Sequence, residues 1–401
     1  MSAGAPAAGR GEVHDLLATW ETLAPTAGRV DTADPGPIIG WLREALDAAI
    51  RLEFATIPPY LCALWSIVDQ DTPVADSIRR IVQEEMLHMA LACNMLAGLG
   101  GTPRIADPAA VPRYPGRLPG GVHRDLVVPL NPLDDAALDV FILIELPEKP
   151  DVAETDALKA CLAGFESYLA DHETIGTFYD KLKLAFDALA GRMAADRATI
   201  APTGEIAEAP PGMRRRETET AAADWPFMAT DRQMAGPLSW FPVRSRREVD
   251  RAIDLIKHQG EGSDAGPAEY ESETELAHFY RFLEIRRAQR IGKLPDSEVW
   301  GFVGPMSRPE VFPMAQIPAG GYPRPGERLP PAAADLLARF DQQYTVVLQE
   351  LQATWADGDQ GRLVRAIEAM FGLQASARAL MEIPRPDSPE TTYGPCFRFT
   401  V

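Results

Sequence analysis

The segment IRRIVQEEMLHMALACNMLAGLGG, Ile78–Gly101, has the three-and-four spacing of an amphipathic helix that stops at a glycine pair. Its apolar stripe runs Ile81, Glu85, His88, Ala92, Met95, Leu99, so a carboxylate and an imidazole take two core-facing positions. A carboxylate in such a stripe is costly to bury unless it is paired or bound to a metal. A fold that accepts this helix must give Glu85 and His88 a partner.

One E-x-x-H motif is weak evidence, because chance produces it often. Here it recurs. In ESETELAHFYRFLEIRRAQR the stripe is Glu271, Glu275, His278, Phe282, Ile285, and Glu275 again precedes His278 by three residues. The chain has only 6 histidines, and two of them stand in this motif on separate helical patterns. A third pattern, WLREALDAAIRLEFATIPPYLCALWSI, aligns Leu42, Leu46, Ala49, Glu53, Thr56 and Tyr60, with Glu53 where an apolar residue is expected. The Pro58-Pro59 pair that follows should disturb this helix and free backbone carbonyls. These parts match a known plan: dinuclear iron or manganese four-helix bundles take one Glu from each of two helices and Glu-x-x-His from two more. Oxygen donors with two imidazoles suit iron or manganese better than a thiolate-preferring metal. The fourth carboxylate stays open. Glu261 sits between Gly260 and Gly262, where helical periodicity does not say which way it points, and Glu166, Glu173 and Asp180 are rivals on a helical pattern at 154–197. His172, on the apolar face of that pattern, is expected to be a hydrogen-bonded core residue.

The predicted architecture is mostly α. Helices are expected near 38–69, 73–99, 135–146, 154–197, 246–259, 268–291, 332–356 and 360–381. Long Pro- and Gly-rich segments at 101–133, 198–243 and 301–331 separate them. Strand patterns are few, and DLVVPL at 125–130 is the best of them. The expected organisation is a flexible tail at 1–37, a dimetal-binding bundle at 38–300, and a Pro-rich linker with a C-terminal helical extension packed on the bundle at 301–401. A net charge of −19 argues against a nucleic-acid partner, and the basic runs Arg214–Arg216 and Arg244–Arg247 read as solvated surface. No apolar run is long enough to span a membrane, and the N-terminus lacks an apolar leader pattern. Cys62, Cys93, Cys161 and Cys396 form no CxxC pair, which with the rest points to a reducing cytoplasm.

The stretches LEFATIPPYLCALWSI, EEMLHMALACNMLAGLGG, IGTFYDKL, IKHQGEG, ELAHFYRFLEI and GPCFRF resemble the ferritin-like family that includes the iminophenyl-pyruvate dimer synthases of the violacein and rebeccamycin pathways. The resemblance runs from about residue 38 to the C-terminus. It implies a ferritin-like four-helix bundle, and it implies metal ligands at Glu53, Glu85, His88, Glu261, Glu275 and His278. It favours Glu261 through its QGEG stretch. The pathway synthases are much longer chains, so the metal site is implied and the reaction is not.

Three functions follow for testing. The first is a non-haem di-iron oxidoreductase, with manganese as the alternative metal, that uses O2 on a small molecule. An aromatic amino acid, or an imine or amine derived from one, is the substrate class on resemblance alone. Tyr60, Trp65, Phe279 and Tyr280 are candidate lining residues, although each also reads as plain core. The second is a metal-binding or storage protein without an organic substrate. The third is a structural bundle whose polar groups pair with one another. The sequence leaves the oligomeric state open, a homodimer included.

Overall fold

The computed structural model describes residues 20, 36–147, 155–169, 172–200, 232–235, 240–261, 267 and 275–400; the side chains at 166–167, 192–200 and 261 are outside the description. The fold is mostly helical. Helix α1 (Gly36–Ser66) packs lengthwise on α2 (Pro73–Gly98). Helix α2 starts at Thr72, whose hydroxyl accepts from the Ala75 N–H, with Pro73 in the first turn where its missing N–H costs nothing. Just past its end Gly100 takes a φ of 75°, which favours glycine, and the chain turns so tightly that a Cβ at Gly101 would meet Leu96 at 2.4 Å.

Pro58 and Pro59 do not interrupt α1. Pro59 deprives the Ala55 carbonyl of its helical donor, and the Tyr114 hydroxyl donates to that carbonyl at 2.8 Å. The freed acceptor becomes an anchor for the loop that follows α2.

Helix α3 (Asp135–Ile144) begins at Asp134, which accepts from the Ala137 N–H, and lies against the later helix α8 (His278–Arg287). The 154–197 pattern divides into α4 (Asp156–Ala163), α5 (Glu166–Leu169) and α6 (Ile175–Ile200). The break has a local cause: Thr174 and Thr177 exchange backbone-to-hydroxyl bonds of 2.8 and 3.1 Å, a reciprocal cap that starts α6 afresh. Helix α7 (Arg246–Glu261) pairs with α6, and the two lie against α1, α2 and α8.

The helix expected at 268–291 is shorter. Ala277 is extended, with ψ of 160°, so α8 starts at His278, and Ala288 ends it with φ of 52°. Residues 268–274 of that expected helix lie outside the described residues. After α8 the chain forms an antiparallel hairpin, β3 (Gln289–Lys293) with β4 (Trp300–Pro305), which the sequence reading missed. Its strands carry Gly292, Gly301 and Gly304 and a bulge between Arg290 and Ile291, which dilute any alternation. Two smaller hairpins complete the strands among the described residues: β1 (Gly116–Arg117) with β2 (Val127–Val128), inside the expected 125–130 stretch, and β5 (Pro384–Arg385) with β6 (Ser388–Thr392).

Helices α9 (Pro331–Asp357) and α10 (Gln360–Met381) form an antiparallel pair that packs on α1 and α2. Arg378 of α10 donates to the carbonyls of Trp65 (3.1 Å), Ile67 (2.6 Å) and Val68 (2.9 Å), so the orphan acceptors beyond α1 are met by a side chain more than 300 positions away. Trp65 also stacks on Phe397 at 5.9 Å. Of the expected tail at 1–37, Trp20 is described and is buried against Trp41, with ring centroids 4.8 Å apart. Arg214–Arg216 lies outside the described residues, whereas Arg246 pairs with Asp187 and Asp250.

Asn94 ties three segments together. Its amide donates to the carbonyls of Met234 (2.8 Å) and Phe241 (2.9 Å), and its oxygen accepts from the Met234 N–H (3.0 Å) and the Trp355 indole (2.9 Å). Asn94→Ala leaves these groups unmet in a buried place and is expected to cost about 2–4 kcal/mol. The measurement is the urea midpoint; a midpoint within error of wild type would show that the network is not structural.

Candidate metal centre

Five buried donors converge between α1, α2, α3 and α8. Two overlapping groups lie close enough for each to hold one ion: Glu53, Glu85 and His88, and Glu85, Glu145 and His278. Glu85 belongs to both, so three carboxylates and two imidazoles form a donor set for two ions with Glu85 between them. Glu53 comes from the middle of α1 and Glu85 and His88 from one face of α2. Glu145 is the residue that ends α3, and His278 is the first of α8.

The carboxylates are held by hydroxyl groups. Tyr179 of α6 donates to Glu53 Oε1 at 2.5 Å, Tyr60 of α1 to Glu145 Oε1 at 2.6 Å, and Thr56 to Glu85 Oε2 at 2.5 Å. Each bond leaves the carboxylate's other oxygen facing the imidazoles. Glu53 Oε2 and Glu85 Oε1 both lie 3.6 Å from His88 Nδ1. Glu85 Oε1 and Glu145 Oε2 lie 2.9 and 3.5 Å from His278 Nδ1.

The imidazoles are held from the far side. His88 Nε2 lies 2.8 Å from Gln259 Oε1 of α7 and His278 Nε2 lies 3.0 Å from Glu84 Oε2, so both rings donate outward through Nε2. Arg281 fixes Glu84 by donating to the same oxygen at 2.9 Å. Both Nδ1 lone pairs therefore point inward, and His278 Nδ1 is buried without a well-directed hydrogen bond despite its acidic neighbours. Acceptors that converge on acceptors require a cation between them. A dinuclear metal ion fits this donor set, and anchoring of the outer imidazole nitrogen is what holds a ligating His in place.

In the metal-free protein protons take that role. Burial disfavours a charged His88, but its contacts with Glu53 and Glu85 outweigh it and push its pKa up to about 10. His278 is likewise raised, its burial outweighed by Glu145, Glu84 and Glu85. Burial pushes Glu85 up, yet the two imidazoles win and hold it well below the carboxylate range. For Glu53 burial prevails and raises it. The hydroxyls of Tyr60 and Tyr179 are raised by burial and stay protonated donors.

The predicted ligands Glu53, Glu85, His88 and His278 are brought together, and Glu275 is not. With Ala277 extended, Glu275 is not one helical turn from His278, and its carboxylate pairs with Arg80 of α2 at 41% side-chain exposure. The side chain of Glu261 lies outside the described residues. Its neighbour Gly260 reaches the site, where a Cβ would lie 3.2 Å from Glu145 Oε2. Of the rivals, Asp180 pairs with Lys257 and Glu173 with Lys181, and the Glu166 side chain is outside the description. His172 stacks on Tyr168 at 4.0 Å and contacts its carbonyl, as a hydrogen-bonded His does. Tyr60 meets the site through Glu145, while Trp65 packs against Phe340 and Phe397.

The sequence reading missed Glu145, although a signal was there. Leu138, Phe141, Ile142 and Glu145 share one face of α3, so Glu145 continues a core stripe just as Glu85 does. Glu84 and Gln259, which hold the imidazoles from outside, were not among the predicted site residues; the stripe that carries Glu84 is less apolar than that of Glu85.

A helical bundle with buried Glu and His groups that could hold metal ions is the class that this fold and site define. Residues 46–287 match the profile of the family described as Ferritin-like, and the chain belongs to that family. A crystal structure of a ferritin-like protein from Caulobacter vibrioides is similar in fold, with a TM-score of 0.54 and 21% identity, covering 90% of this chain and 97% of that one. No curated protein matches the chain significantly. No described helix is long and apolar enough to cross a membrane.

Two outcomes check the centre. Glu145→Gln removes one donor charge while keeping shape and is expected to lower the bound metal measured by elemental analysis, whereas Glu275→Gln is expected to retain it. The reverse ranking would return Glu275 to the site. The raised His88 pKa also has a defined sign: the stability it contributes is fully present below about 6.5 and is lost as pH rises through about 10. At pH 7 metal uptake must displace that proton, so titration calorimetry in buffers of different protonation enthalpy should register proton release. Uptake without release would show that His88 is not a ligand.

Proposed function

We propose that this protein is a non-haem dinuclear oxidoreductase, with iron as its metal, that uses O2 on a small organic substrate. The observation that carries the reading is the inward aim of both Nδ1 atoms onto three carboxylates, each secured by its own hydroxyl donor. Glu53, Glu85, His88, Glu145 and His278 would hold the two ions, and their outer partners would keep these donors in place. When bound, the metal pair supplies the redox chemistry, while this chain's residues orient the donors and exclude water. The five described donors would bring three negative charges to a divalent pair, fewer than the four needed to neutralise it. A substrate derived from an aromatic amino acid, as an imine or amine, rests on the resemblance to the iminophenyl-pyruvate dimer synthases. A small-molecule partner and a cytoplasmic setting complete the reading.

One observation favours a second reading, a metal-binding or storage protein without organic substrate. The cavity beside the donors is only about 20 Å³, room for roughly one water. An organic substrate needs a wall to move.

The test is anaerobic loading with ferrous iron followed by exposure to oxygen. Near two irons per chain and near-ultraviolet absorption on oxidation are expected, with oxygen uptake accelerated by an aromatic amine or imine in a metabolite screen. Iron oxidation that no organic compound accelerates would support storage. Failure to bind iron or manganese would leave a structural bundle.

A further inference from the structure

The walls of the small cavity differ in what holds them. Behind Glu145, Tyr60 packs on Phe141 and Phe282 with centroids 4.7 and 5.0 Å apart, and those two rings meet at 5.1 Å. This wall is aromatic and closed. The opposite wall is the first turn of α6, Ile175 and Gly176, and the last turn of α7, Ile256, Lys257 and Gly260. From that end toward the other, α6 and α7 are joined by partly exposed ion pairs: Lys257 to Asp180 at 2.6 Å beside the cavity, then Lys183 to Asp254 at 2.7 Å, and Arg246 to Asp187 at the far end. Solvent-screened pairs of this kind stabilise little and exchange partners readily. The α6–α7 wall is the one that can give.

Among the described residues that line the cavity, the basic groups are His88, which faces Glu53 and Glu85, and Lys257, the only Lys or Arg. Ile144, Ile175 and Ile256 supply apolar surface beside it, and the start of α6 adds the positive end of its dipole. Lys257 and Asp180 keep 23% and 43% side-chain exposure, so an incoming ion can reach both. We propose that a small organic anion with an apolar body approaches the centre between α6 and α7, and that Lys257 receives its anionic group in exchange for Asp180. The exchange releases one tie between the helices, so arrival of the ligand and yielding of the wall are one event. This assignment rests on the dinuclear reading, since it concerns access to that centre.

The test uses the full chain loaded with cobalt(II), with benzoate and butyrate as probes and the neutral amides benzamide and butyramide as controls. Affinity is read by calorimetry, and the cobalt absorption spectrum reports whether the probe reaches the centre. Lys257→Gln and Asp180→Asn both break the same ion pair, so a purely structural role predicts the same change from both. Our assignment predicts opposite changes: Lys257→Gln weakens the anions about tenfold, the worth of one charge-assisted hydrogen bond, and Asp180→Asn tightens them by freeing Lys257. The amides should be indifferent to either variant, and Lys183→Gln, which breaks a neighbouring pair away from the cavity, should leave the anions at wild-type affinity. Wild-type protein that binds neither anion, Lys257→Gln that binds them normally, or equal shifts in the two variants would overturn the assignment. Elemental analysis of the loaded protein reads the dinuclear site separately. If the protein takes up no metal, that reading fails by itself, and the same titrations of the metal-free chain decide for or against Lys257.

Discussion

Three carboxylates buried against two imidazoles set the terms for the rest of this fold. Each oxygen turned away from the centre needs a donor, and each ring nitrogen turned away needs an acceptor. Tyr179, Tyr60 and Thr56 meet the oxygens; Gln259 and Glu84 meet the nitrogens. These partners come from α1, α2, α6 and α7, so the polar demands of the centre fix which helices must lie around it. Glu84 shows how far the demand extends, since its own charge is answered by Arg281 from the helix that carries His278.

The parts legible in the sequence are those in the middle of long helices. Glu53, Glu85 and His88 sit inside α1 and α2, where a 3.6-residue period maps position onto direction. The misreadings lie at helix ends. Glu145 continues the apolar stripe of α3 one residue past its last turn and was overlooked, and His278, named from the sequence, begins α8, so the residue three before it is outside the helix. Glu275 illustrates the failure: its three-residue spacing from His278 is right, but extended backbone at Ala277 takes away the geometry that gives the spacing meaning. The mostly helical class was readable because helix patterns dominate the chain. The split of 154–197 was hidden in a Thr174–Thr177 cap, and the β3–β4 hairpin in its glycines.

Glycine and proline matter here through what they leave undone. Pro59 withholds one donor, and Tyr114 from a distant loop takes up the vacant acceptor. Gly260 withholds one side chain, and α7 comes close enough to Glu145 to close the centre. In both cases a local deficit is turned into a long-range contact, which makes irregular segments part of the architecture.

The Arg378 cap on the end of α1 bears on the order in which the molecule can be completed. Helix α1 carries Glu53 and is made well before α10, so the carbonyls of Trp65, Ile67 and Val68 receive their guanidinium only after some 310 further residues have been made. Until then the end of that helix has only its local cap, the Gln70 amide that donates to the Leu64 and Ile67 carbonyls at 2.9 and 2.8 Å. The family match ends at residue 287, so the finishing contact comes from outside the part of the chain that defines the family. Full capping of that helix is thereby deferred until α10 has been made, so the element that carries Glu53 is finished by a segment translated long after it.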